Sequence, residues 1–155
     1  MPNWSKLYAL SAREKRLLVA SLFALPLNGL ALNLLGFNRW QYLLSRMAPV
    51  DRVGPDARAE SLLALARQTA RMVRIGAWHG PYRGNCLQQS LTLWWLLRRH
   101  KVESEIRFGA RMTSGKFEAH AWVEFEGVAL NEGRNIHRGF KPFEPVAARS
   151  EANKR

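Results

Sequence analysis

A chain of 155 residues, 47% of them apolar, supplies one ordinary domain with one core, and it leaves no room for a second of similar size. The 24 Lys and Arg outnumber the 12 Asp and Glu for a net charge of +12. Residues 1–84 alone hold 12 basic and 4 acidic side chains, so the field suits an acidic partner without choosing among nucleic acid, anionic membrane and acidic peptide. The single cysteine, Cys86, excludes an intrachain disulfide and a zinc site built on cysteines.

Met1–Leu10 lacks the basic-then-apolar order of a secretory signal, so the expected location is cytoplasmic. Ser11-Ala-Arg-Glu14 reads as a capping box that opens a helix. The apolar run Leu17–Leu25 follows, then Leu30–Leu35, with Pro26, Asn28, Gly29 and Asn33 predicting a break into two short helices. Flanked by Arg13, Lys15, Arg16, Arg39 and Arg46, this stripe suits peripheral association with the inner membrane surface and suits a protein docking face equally.

Pro49–Pro55 predicts a loop, and Asp56 then caps a helix with Leu62, Leu63, Leu65, Ala66, Ala70, Val73 and Trp78 on its apolar face. Its other face carries Arg58, Arg67, Arg71 and Arg74. Gly76–Gly84 reads as a turn-rich connector. Asn85 caps the next helix with Gln88 three residues on, and Leu87, Leu91, Trp94, Trp95 and Leu97 form its stripe up to Arg98-Arg-His100. The period then changes to two. Glu103–Arg111 and Phe117–Phe125 alternate as strands around a Thr113–Lys116 turn, and Glu126-Gly127 turns into Val128–Leu130. Helices followed by an antiparallel meander give an α+β fold. The polar stretch after Phe143 reads as a frayed end.

Cys86 falls on the first turn of its helix, where unpaired N–H groups and the positive dipole end favour the thiolate, the form that attacks carbonyl carbon. His120 sits inside an alternating strand on the face of Glu118, Trp122 and Glu124. A nucleophile at a helix start and a base on a neighbouring strand form the arrangement that a thiolate–imidazolium pair requires. The Glu126-Gly127 turn brings the following strand back beside His120, within reach of Asn131 or Glu132 as its orienting partner. Trp122 is expected to pack beside the histidine, and Gln88 and Gln89 to face solvent. His79, His100 and His137 lack metal-ligand spacing, so neither a metal nor a cofactor is expected.

Three blocks, Cys86-Leu-Gln-Gln-Ser-Leu91 with Trp94–Arg99, Ala119-His-Ala-Trp-Val-Glu124 with Gly127, and Leu130-Asn-Glu132, resemble the transglutaminase-like cysteine protease family of lasso-peptide maturation. The match is close from Cys86 to Phe143, and the first 60 residues are similar to the stand-alone form of that family. The resemblance implies a transglutaminase- or papain-like core over residues 56–145, with the nucleophile at a helix N-terminus against an antiparallel sheet. Residues 1–48 would be a helical docking region and 146–155 a disordered tail.

The resemblance also implies Cys86 as nucleophile, His120 as base and Glu132 as third catalytic residue. The family usually has Asp at that last position, and Glu is one methylene longer. The implied activity is leader removal from a ribosomally made precursor. The implied partners are the precursor's leader, a small leader-recognition protein and an ATP-dependent macrolactam cyclase. Two readings compete: acyl transfer or amidase chemistry through the same thioester, and a non-catalytic module using Arg58, Arg67, Arg71 and Arg74 on nucleic acid. No helix-turn-helix, zinc finger or interleaved aromatic–basic pattern supports the second, so nucleic acid is not an expected partner.

Overall fold

The computed structural model describes residues 9–49, 59–132 and 139–143. Helices α1 (Ala12–Leu35), α2 (Phe37–Met47), α3 (Ala59–His79) and α4 (Cys86–Arg99) precede strands β1 (Glu105–Thr113), β2 (Lys116–Phe125), β3 (Val128–Ala129) and β4 (Lys141–Phe143). The sheet has the order β3-β2-β1-β4, antiparallel at every pairing. This is the expected α+β architecture. Asp56, Arg58, His137, the 146–155 tail and most of the Pro49–Pro55 loop lie outside the described residues.

Both capping boxes form. The Ser11 hydroxyl accepts from Glu14 N–H while the Glu14 carboxylate accepts from Ser11 N–H, and Asn85 and Gln88 do the same at α4. Each such cap is worth about 1 kcal/mol.

The predicted break in the first apolar stretch does not occur. α1 runs unbroken through Pro26, although proline removes one helical hydrogen bond at a cost of about 3 kcal/mol. Tertiary packing offsets that cost, because Leu17, Ala24, Leu25 and Ala31 are buried along one face. The polar residues that suggest a break have partners elsewhere. Asn28, 1% exposed, donates to Thr92 Oγ1 at 2.7 Å and accepts from the Trp40 indole at 2.7 Å, tying α1 to both α4 and α2. A Cβ at Gly29 would overlap the Tyr82 hydroxyl, so glycine permits that close approach. Asn28→Ala strands two buried donor or acceptor groups and is expected to cost about 2–4 kcal/mol. Chemical unfolding monitored by tryptophan fluorescence measures that loss.

α4 is the central element, packed against α1, α3 and β2. Leu91, Leu93, Leu96 and Leu97 are 2% exposed or less, and they meet Ala66, Ala70 and Val73 of α3 and Ile106, Val123 and Phe125 of the sheet. Trp94 is buried with its indole donating to Ser104 O, whereas Trp95 on the adjacent side is half-buried. Two expectations for α3 are corrected. The helix continues to His79, so Gly76–His79 is helical, and Trp78 is 67% exposed on the side turned away from α1, which Gly76 and Gly80 approach closely at Leu22.

The two hairpin turns form where turn chemistry places them. Ser114 and Gly115, and again Glu126 and Gly127, take consecutive positive φ values, the geometry that matches strand twist in a two-residue hairpin. β4 is an addition that the sequence reading does not contain. It pairs with β1 at the edge opposite β3, placing Pro142 where an edge strand tolerates a missing N–H.

Candidate active site

Strand alternation divides β2 between two environments. Ala121, Val123 and Phe125 are buried, and Val123 and Phe125 join the core under the helices. His120, Trp122 and Glu124 occupy the other face. Register places Gly109 of β1 opposite His120 and Arg107 opposite Trp122. A Cβ at Gly109 would stand 2.8 Å from the Trp122 ring and 2.9 Å from Phe140 Cβ, so glycine lets both aromatics close over the strand. The His120 imidazole stacks with Trp122 at 6.5 Å between centroids and lies 5.3 Å from the Phe140 ring. Trp122 packs beside the histidine as expected and is fully buried.

Glu132 and Asn131, adjacent in sequence, have separate jobs. His120 Nε2 and Glu132 Oε1 are 2.7 Å apart, both side chains partly shielded from solvent. Asn131 turns the other way: its Oδ1 accepts from Val123 N–H at 2.8 Å and its Nδ2 donates to Ser90 Oγ at 3.0 Å. Ser90 in turn donates to Ala121 O at 2.9 Å. The chain Asn131–Ser90–Ala121 fastens α4 to β2 at the residue next to His120. Glu124, the last residue of His-Ala-Trp-Val-Glu, accepts from the Trp122 indole at 2.7 Å and pairs with Arg107. It braces the strand.

Cys86 opens α4 directly after the Asn85 cap, one turn before Ser90, and its side chain is half-buried. Through Ser90, one turn after Cys86, this end of α4 is bonded to Ala121, the strand neighbour of His120. Among the described residues no hydrogen bond joins Cys86 to His120. A cleft of about 500 Å³ on the imidazole side is lined by Arg111, Glu118, His120, Glu132 and Phe140, with Cys86 outside its lining. Arg111 lies over the Phe140 ring at 4.5 Å and pairs with Glu118, giving this cleft a charged wall.

Gln88 and Gln89 keep part of their surface in solvent, and each is also tied down by hydrogen bonds. Gln88 completes the cap, and Gln89 Nε2 donates to Gly84 O at 2.7 Å, so both hold the loop that delivers Cys86. Their signal was the capping pattern at Asn85. Among the described residues no cluster of three His, Cys, Asp or Glu could hold a metal ion.

No curated protein and no solved structure matches the chain. A family model does: that of the transglutaminase-like superfamily, over residues 30–144, a span that opens inside α1 and includes Cys86, His120 and Glu132. Membership accords with cysteine protease or acyltransferase chemistry, as the superfamily contains cysteine proteases. With about three quarters of its length matched, the chain belongs to the transglutaminase-like superfamily.

Proposed function

We propose that the chain is a cysteine peptidase that removes the leader from a ribosomally made lasso-peptide precursor. The observation that carries the chemistry is the hydrogen bond of His120 Nε2 to Glu132 beside the helix that begins at Cys86. With Nε2 committed to the carboxylate, Nδ1 is the ring nitrogen left to take the thiol proton as the pair closes on substrate. Catalytic contacts commonly tighten only in that complex. The Cys86 thiolate attacks the carbonyl at the leader–core junction. The Asn85 cap uses the Gln88 N–H, which leaves those of Cys86 and Leu87 to hold the oxyanion. The imidazolium gives its proton to the departing core amine, and water then cleaves the leader–Cys86 thioester.

The substrate class rests on the motif blocks around Cys86, His120 and Glu132, which resemble those of lasso-peptide leader peptidases. A lone thiol is suited to the reducing cytoplasm. A separate leader-recognition protein would present the precursor, and a macrolactam cyclase would take the released core. The test is incubation of the chain, a recognition protein and a lasso precursor, with products read by mass spectrometry. Separate leader and core masses are expected. An intact precursor under all conditions contradicts the reading. Because the superfamily also accords with acyl transfer, one arm adds a small primary amine. A leader carrying that amine, in place of free leader acid, identifies a transferase.

A further inference from the structure

α1 is apolar on two opposite faces, and only one of them is covered. Val19 (51% exposed), Phe23 (73%), Leu27 (51%), Leu30 (59%) and Leu34 (74%) follow one another at spacings of three and four residues. They form one straight stripe about 22 Å long. Single exposed leucines are ordinary, but a continuous row of five is a contact surface.

The N-terminal end of the stripe runs into positive charge. Arg16 stands on the same line, three residues before Val19. With Arg13, and with Arg99 and His100 from the end of α4, it lines a cavity of about 550 Å³ floored by Leu17, Ala20 and Leu96. Among the described residues no carboxylate lines this cavity. Burial first, then the positive charge of Arg13 and Arg99, hold the His100 pKa below its ordinary value. Glu14, the one acid on α1, is already engaged by its own cap and by Arg71.

We propose that α1 docks the chain on an anionic phospholipid surface, with headgroup phosphates in the Arg13–Arg16–Arg99–His100 cavity and the Val19–Leu34 stripe lying among the upper acyl chains. The helix lies in the surface. Its length and composition would permit a crossing, but a spanning helix would lose the Asn28 bonds to Thr92 and Trp40 and the packing of Leu17 and Leu25. Charge argues against a second copy as the occupant. Helices paired along this stripe would set Arg13, Lys15 and Arg16 against themselves or against Arg39, in a chain of net charge +12. This docking is independent of the proposed peptidase reaction.

Co-sedimentation of the full chain with vesicles tests it, comparing phosphatidylglycerol–phosphatidylcholine mixtures with phosphatidylcholine alone. Binding is expected only to the anionic vesicles. The double variant Arg13→Gln/Arg16→Gln is expected to bind about thirtyfold more weakly, and Phe23→Ser/Leu30→Ser about tenfold more weakly. All four positions are exposed, so circular dichroism melts should match the parent. Equal binding to neutral vesicles, or full binding by the Phe23→Ser/Leu30→Ser variant, overturns the proposal. So does a dimer in solution, or a complex with the recognition protein, that this variant dissolves while vesicle binding is absent.

Discussion

Cys86→Ala is expected to lower precursor cleavage by at least about 10³-fold while leaving the fold intact. Alanine is smaller than cysteine, suits the first turn of a helix, and removes a half-buried thiol that has no hydrogen bond among the described residues. The thermal unfolding midpoint should therefore stay within a few degrees of the parent, which separates loss of the nucleophile from loss of structure. Residual turnover would measure what the oxyanion donors and substrate positioning supply without a nucleophile. Cleavage persisting near the parental rate would transfer the chemistry to another residue and dismantle the account of α4's N-terminus.

The second large effect divides the neighbours Asn131 and Glu132. Glu132→Gln preserves size and shape but removes the charge that stabilises an imidazolium, so kcat is expected to fall by about 10²–10⁴-fold with little change in stability. Asn131→Ala behaves in the opposite sense. It strips the Val123 N–H and the Ser90 hydroxyl of their partner beneath the sheet. A buried donor without an acceptor costs about 1–3 kcal/mol. The unfolding midpoint should drop by about 5–10 °C for a chain of this size. Its kcat at low temperature, where the variant is folded, should remain within about tenfold of the parent. The reverse result, an active Glu132→Gln and a stable but inactive Asn131→Ala, would exchange the two roles.

Much of this arrangement was legible where local chemistry decides it. Ser11 with Glu14 and Asn85 with Gln88 announce helix starts through their side chains alone, and Glu126-Gly127 announces a tight turn. Cys86 at a helix start and His120 on a strand are therefore readable from neighbours within a few residues. What was not legible depends on distant partners. Pro26 and Asn28 resemble helix breakers until Thr92 and Trp40 are seen to occupy Asn28. Trp78 looks like a core residue by periodicity, yet it is 67% exposed while its neighbour Ala77 is buried, because only the side of α3 that meets α1 is covered there. The three residues of β4 have no detectable period, and only the exposed edge of β1 makes them a strand. The separation of Asn131 from Glu132 likewise depends on which side of β2 each meets once the hairpin has turned.

The most direct measurement is the mass of the chain itself, caught in the act. The full chain, its recognition protein and a lasso precursor are mixed, stopped in acid during the first turnover, and weighed intact, with the adduct then located by peptide mapping. The account predicts a chain heavier by the leader less one water, the extra mass on the peptide containing Cys86, and free core released with it. Cleaved precursor beside an unmodified chain, or an adduct on any other residue, would contradict it.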